Sequence, residues 1–105
     1  MKKEEKYITI NHLDDYSPMG YTRFRTGQQL KLQKEKDNCY DDEAIAVFDD
    51  NGSKAGYVAN SVSTVARGTF SAGRIYDQIE DEDSCTIRFI TEDVLIAQIN
   101  EKKGN

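Results

Sequence analysis

Residues that commonly build covalent, metal or hydrolytic centres are scarce in this sequence. Its 105 residues include two cysteines, one histidine and one proline, and no tryptophan. Two cysteines and a single histidine do not provide four zinc ligands at finger spacing. A disulfide between Cys39 and Cys85 is not expected in a reducing compartment. His12 has no Ser or Cys nucleophile motif beside it and is interpreted as a surface residue at a strand end. We therefore expect no metal, no cofactor and no catalytic residue.

Long apolar segments are absent as well. No hydrophobic run approaches the length of a membrane span, and the charged residues 1–6 precede no apolar stretch that would predict a signal peptide. Hydrophobic residues make up 37% of the chain and charged residues 31%, which is typical of a folded globular domain. The expectation is a cytoplasmic protein with one small core and no membrane contact.

The net charge of −5 argues against a general affinity for nucleic acid backbones. The charges are unevenly distributed, however. Residues 17–74 contain eight Lys or Arg against seven Asp or Glu, whereas residues 75–105 contain three against eight. The acidity is therefore mostly C-terminal, which leaves room for a local basic groove in the first part of the chain.

Apolar and polar residues alternate with a period of two, which predicts short strands. The predicted strands cover 7–10, 30–33, 44–48, 54–58, 74–79, 85–90 and 94–99. Asn51 and Gly52 predict a hairpin with a type I′ turn, because both residues tolerate positive φ. Helical spacing of Val62, Val65 and Ala66 predicts a short helix over 61–67 that ends at Gly68. Residues 80–84 are interpreted as a solvated acidic loop.

These elements predict a mainly all-β fold. The expected architecture is one small antiparallel β-barrel of the OB or SH3-like kind with one short α-helix, because closing the sheet removes its edges. The barrel is placed at residues 7–99, with frayed termini at 1–6 and 100–105. The apolar members of the alternating runs form the predicted core, namely Ile8, Leu30, Leu32, Ile45, Val47, Val58, Ile87 and Phe89.

Three segments in this order carry a family resemblance: GQQLKL (27–32), DNCYDDEAIAV (37–47) and GYV (56–58). Together they resemble the HIRAN domain, with the similarity strongest over residues 20–79. Two positions depart from the family pattern. Cys39 stands where family members usually carry Pro, and Ala59-Asn60 stand where they often carry Pro or a basic residue, so a positive charge is missing there.

The resemblance implies a non-catalytic module that binds nucleic acid and recognises the 3′ ends of single-stranded DNA in DNA repair or processing. It also implies a helicase or nuclease as a partner protein, since HIRAN domains are widely fused to such enzymes. Tyr40 and Asp41 take the role of gripping the end of the strand. An aromatic residue that stacks on a base is expected at Tyr21 or Phe24, and at least one of these two is expected in the core.

The chemistry of the Asn38-Cys39-Tyr40-Asp41 segment fits that role. A terminal 3′-hydroxyl donates a hydrogen bond that a carboxylate accepts, whereas an internal phosphodiester offers only acceptors and negative charge. The alternative interpretation is an ordinary turn in which Asn38 and Asp41 bond back to the backbone and Tyr40 packs on the barrel rim. Candidate phosphate-binding cations, each of which is otherwise an ordinary solvated side chain, are Arg23, Arg25, Lys31, Lys54 and Arg67. Tyr57 is expected to pack in the barrel.

Two other functions stay open. One is a protein-interaction or structural module that uses the barrel surface. The other is a small metal-dependent nuclease with Asp41, Asp42 and Glu43 as ligands. The argument against it is that adjacent residues of a strand point to opposite faces and so do not converge on one ion. The sequence does not choose between DNA, RNA and protein as the partner, and it is silent on the oligomeric state.

Overall fold

The fold is a closed antiparallel β-barrel. The computed structural model describes residues 5–12, 24–61, 63–91 and 94–100. Within these ranges it contains six strands, one short α-helix and one turn of 3₁₀-helix: β1 (Tyr7–His12), β2 (Gln29–Lys34), β3 (Ile45–Phe48), β4 (Lys54–Val58), α1 (Ala72–Ile75), the 3₁₀ turn (Tyr76–Gln78), β5 (Glu82–Ile90) and β6 (Val94–Ile99). The strand order around the barrel is β1-β4-β3-β2-β5-β6. The predicted fold class is confirmed.

Alternation fills the barrel as the sequence predicts. On β2, Leu30 and Leu32 are buried while Lys31 between them is exposed. The core prediction is confirmed for Ile8, Leu30, Leu32, Ile45, Val47, Val58 and Ile87, all of which are buried. The helix packs on the barrel through Ala72 and Ile75, which are buried in the same hydrophobic cluster. No helix among the described residues is long and apolar enough to cross a membrane.

Phe89 is the error in the predicted core, since its side chain is 60% exposed. The pairing of β5 with β6 shifts register between Ile87 and Phe89: Ile87 pairs with Ala97, but Phe89 pairs with Ile96. Such a bulge places one extra residue, Arg88, on β5 and reverses the alternation beyond it. Phe89 therefore points outward, and the following Ile90 packs against the core instead.

The β3–β4 hairpin is confirmed, but its turn is not type I′. A type I′ turn requires a positive φ at both Asn51 and Gly52. Gly52 has a φ of +86°, but no described residue other than glycine has a positive φ, so Asn51 does not meet this requirement. The Gly52 amide instead donates to the Asp49 carbonyl (3.0 Å), and the Asp49 amide donates to the Ser53 carbonyl (2.9 Å). This is a type I turn followed by a left-handed glycine. The buried Asp49 carboxylate stabilises it by accepting from the Asn51 and Ser53 amides.

Three local predictions between β4 and β5 are wrong. Residues 61 and 63–67 form turns rather than the predicted helix, and Val62 lies outside the described residues. The side chains of Ser61 and Thr64 bond to the local backbone, and the Ala66 amide donates to Thr9 Oγ1 instead of to a helical carbonyl. The predicted strand over 74–79 is α1 and the 3₁₀ turn, capped by the Ser71 side chain, which accepts from the Arg74 amide. The predicted acidic loop is partly strand, since β5 begins at Glu82.

The bulge generates a test on two residues of the same strand. Ile87→Ala removes a fully buried side chain and should lower the free energy of unfolding by about 2–5 kcal/mol. Phe89→Ala removes a mostly exposed one and should cost under about 1 kcal/mol, although Phe is larger. Urea denaturation of the two variants measures both values. A larger loss for Phe89→Ala would show that alternation continues through β5 without the bulge.

Candidate nucleic-acid interface

The signature residues lie on one loop at an end of the barrel, residues 35–44 between β2 and β3, which we call the Asn38 loop. Its base is closed by the Glu35 amide, which donates to the Ala44 carbonyl (2.9 Å). Its tip is an Asx turn, because Asn38 Oδ1 accepts from the amides of Tyr40 (2.9 Å) and Asp41 (3.0 Å). Asp41 Oδ1 in turn accepts from the Glu43 amide (2.9 Å). The loop is therefore ordered by its own polar side chains.

This loop displays an aromatic ring and a carboxylate side by side. The Tyr40 side chain is 95% exposed, so it does not pack on the barrel rim, and that part of the turn interpretation is wrong. Asp41 is half-buried, and no described residue donates to its second oxygen, Oδ2. A fully exposed aromatic on a rigid turn is a stacking surface. An oriented carboxylate with a spare acceptor is a site for a hydroxyl donor.

Glu35 supports the loop from below. Its Oε1 accepts from Asn38 Nδ2 (3.1 Å) and from the Tyr57 hydroxyl (3.0 Å), and its Oε2 accepts from Lys54 Nζ (3.1 Å). Lys54 also donates to the Tyr57 hydroxyl oxygen (2.9 Å). Tyr57 is only partly buried and lies on the outer face of β4, where its hydroxyl makes these bonds. The expectation that it packs in the barrel is wrong.

The electrostatics of this support follow from its contacts. Burial by itself raises the pKa of the Glu35 carboxyl, but hydrogen bonds from Asn38, Lys54 and Tyr57 outweigh burial and place that pKa below its ordinary value of 4.5. Hydrogen bonds to Tyr57 and Glu35 raise the pKa of Lys54. Lys54 is therefore a positive charge already paired with Glu35, and its first role is to hold the loop.

Sequence reasoning did not identify Glu35 as part of the site. The available signal was its spacing, because Glu35 stands three residues before Asn38, at the end of a strand. The partner residues Lys54 and Tyr57 are distant in sequence, and only the pairing of β3 with both β2 and β4 brings them to Glu35.

The remaining predicted residues do not gather at the loop. Phe24 is buried in the core, so its ring is not available for stacking, and the expectation that one of the two aromatics is core is confirmed. Arg25 is exposed, but it precedes β2 and Asn38 follows it. The six residues of β2 span about 20 Å, so Arg25 lies at the opposite end of this strand from the loop. Arg67 is exposed in the turns after β4. Tyr21 and Arg23 lie outside the described residues.

Ala59 and Asn60, two of the residues that depart from the family pattern, have structural roles here. Ala59 is buried, and its backbone bonds to the Thr9 carbonyl and the Ala72 amide. The Asn60 side chain accepts from the Gly73 amide (2.8 Å) and donates to Glu43 (3.3 Å). Asn60 thereby ties α1 to the Asn38 loop with a neutral side chain where a basic residue would offer charge to a phosphate.

Metal chemistry finds no support in the part of the chain that the structure describes, which contains no group of three potential ligands positioned around one ion. Asp41, Asp42 and Glu43 lie in the turn before β3 and not on a strand, so our argument from opposite strand faces does not apply to them. Cys39 and Cys85 are both free. Burial raises the pKa of the Cys85 thiol to about 12, as expected of an inert core residue.

A closed barrel that presents an exposed aromatic ring and an oriented carboxylate on a rigid loop defines a small β-barrel binding module. Residues 10–92 match the HIRAN domain, and the chain belongs to the HIRAN family. A HIRAN domain is a DNA-binding module and is not itself catalytic. No curated protein matches the chain, and no solved structure matches it.

The support by Glu35 generates a pH-dependent prediction. Because the pKa of Glu35 is lower in the folded protein than its ordinary value of 4.5, its stabilisation is fully present above that pH and is lost as the pH falls through the folded pKa. Glu35→Gln should therefore destabilise the protein at pH 7 by on the order of 1 kcal/mol, since the pair is partly exposed. The difference from wild type should shrink near pH 3.

Urea denaturation at the two pH values measures this difference. Glu43→Gln is the matched control, because Glu43 is exposed and accepts only the long bond from Asn60 among the contacts described. It should change stability little at either pH. A Glu35→Gln deficit that is equal at both pH values would show that the Glu35 charge does not support the loop.

Proposed function

We propose that this protein binds the 3′ ends of single-stranded DNA through the Asn38 loop, as a non-catalytic module in DNA repair or processing. The observation that carries the proposal is the exposed Tyr40 ring next to Asp41, whose Oδ2 has no donor in the described part of the structure. The ring stacks on the last base, which contributes about 1–3 kcal/mol without sequence preference. The carboxylate accepts the hydrogen bond of the terminal hydroxyl.

The carboxylate selects an end over an internal position. A free 3′-hydroxyl is a donor, whereas a phosphodiester or a terminal phosphate brings acceptors and negative charge against Asp41. The Glu43 amide and the Asx turn hold Asp41 in place, so its carboxylate can rotate away from a phosphate only by breaking a hydrogen bond. The loop thus favours binding of the 3′ end of a DNA strand over binding of an internal nucleotide.

Affinity at this site must come from few contacts. With a net charge of −5, the chain gains little from counterion release over many phosphates. Lys54 is paired with Glu35, and Asn60 is neutral and tied to Gly73 and Glu43. We therefore expect modest affinity with a shallow dependence on salt. We further propose residues 7–99 as the single binding domain of the chain, with a helicase or nuclease as its working partner.

End recognition is tested with labelled single-stranded oligonucleotides of one sequence that carry either a 3′-hydroxyl or a 3′-phosphate. Fluorescence anisotropy at low and moderate salt gives both affinities. The hydroxyl should bind more tightly by at least about 1.5–3 kcal/mol, the contribution of a hydrogen bond to a charged group. Equal binding of the two ends would refute end recognition.

Two variants separate the roles of the ring and the carboxylate. Asp41→Asn keeps the shape of the side chain but removes its charge, so it should lose most of the discrimination against the phosphate. Tyr40→Leu should weaken both ends by about 5- to 100-fold, the effect of one lost stack. Because Tyr40 is exposed, Tyr40→Leu should leave the melting temperature unchanged, which separates lost binding from lost fold.

Nuclease activity is the alternative function suggested by the carboxylates of Asp41, Asp42 and Glu43. We expect no cleavage when the labelled oligonucleotide is incubated with the protein and Mg²⁺ or Mn²⁺, because the described residues do not converge on one ion. Denaturing gels measure the products. Metal-dependent cleavage that disappears in Asp41→Asn would favour the nuclease over the binding module.

A further inference from the structure

Phe48 is an aromatic side chain flanked by lysines on the outer face of the barrel. It pairs with Lys31 on β2 and with Lys54 on β4, and Lys54 Nζ lies 5.9 Å from the centre of its ring. Its neighbour Val47 points into the core, so Phe48 points outward and is only partly buried. An aromatic between two cations is the arrangement with which proteins hold single-stranded nucleic acid, the ring under a base and the cations near phosphates.

A hollow of about 410 Å³ connects Phe48 to the Asn38 loop. Its walls include Phe48 and Asn38, together with Lys34, Lys36 and the acidic residues Glu35 and Asp37. Phe48 and Asn38 are also joined by contacts, since Lys54 bonds to Tyr57 and Glu35, and Glu35 bonds to Asn38. Ala44, at the base of the loop, is four residues from Phe48, about 13 Å in an extended chain. This short surface therefore reaches Asn38, whose side chain accepts from the amides of Tyr40 and Asp41.

We propose that Phe48 is a second stacking platform, on which a base upstream of the 3′ end rests after the strand leaves Tyr40. This inference rests on the proposed function of the Asn38 loop and extends it to the body of the strand. Lys31, which is exposed beside the ring, meets a phosphate that flanks the stacked base, whereas Lys54 on the other side stays paired with Glu35.

The charge beyond Phe48 limits how far the strand follows this face. A wider groove of about 750 Å³ begins at Phe48 and Lys31, and its other walls contain Glu82 and Asp83. Carboxylates there repel phosphates. The strand consequently leaves the protein after Phe48, so the bound segment is short and lies near the lower limit of about four nucleotides for an OB fold.

The test is the dependence of affinity on oligonucleotide length. Thymidine oligonucleotides of about two to about ten residues, each with a free 3′-hydroxyl, are measured by competition against a labelled strand. For wild type, affinity should rise until the strand reaches Phe48 and then stay constant from about four nucleotides. Phe48→Leu should lose about 5- to 100-fold for the longer strands but little for the shortest ones. Phe48→Tyr, which keeps an aromatic ring, should retain wild-type affinity.

Phe89→Leu is the matched control, because Phe89 is an exposed aromatic on β5, a strand that pairs with β2 and β6 and not with β3. It should change neither length dependence nor end preference. If Phe48→Leu keeps the length dependence while the preference for a 3′-hydroxyl persists, the platform is wrong and the end site stands. If wild type distinguishes lengths but not ends, the end site is wrong and the Phe48 surface stands. Absence of any binding by wild type would overturn both.

Discussion

Closure of the sheet through β1 is the constraint on which the rest of the molecule depends. One side of β1 pairs with β4 and the other with β6, so the strand that begins the barrel also completes it. Its residues Ile8 and Ile10 are fully buried members of the hydrophobic cluster. Because each strand is then held on both sides, the loops at the barrel end start from fixed positions. A loop on such a base can present a side chain without packing it.

The Asn38 loop uses that base through polar contacts rather than hydrophobic ones. Glu35 receives hydrogen bonds from Asn38, Tyr57 and Lys54, which come from the loop and from β4. One carboxylate therefore couples the loop to the sheet and neutralises a lysine on the same face. This arrangement explains how an acidic protein keeps an exposed aromatic and an available carboxylate next to each other, and why the proposed affinity is limited to a few contacts.

Much of the barrel could be predicted from alternation, because a strand with one buried face records its orientation in every second residue. Leu30 and Leu32 on β2 and Ile87 on β5 are examples. The signal failed where the backbone changed register without a change in composition. The bulge after Ile87 turned Phe89 outward, although the run from Cys85 to Phe89 alternates without interruption. Arg74 to Ile79 was misread as a strand, although Ser71 as a cap and buried Ala72 and Ile75 at a spacing of three are helical signals.

By itself, the sequence determined the fold class, the family signature and the Asx turn at Asn38, because periodicity and side-chain-to-backbone bonding are local properties. Only the tertiary structure decided which aromatics face solvent and which charges are already paired. Phe24 is buried while Tyr40 is exposed, and Lys54 is bound to Glu35 nineteen residues away. These outcomes depend on strand pairing and register, which join residues distant in the chain, and no local pattern of residue types records them.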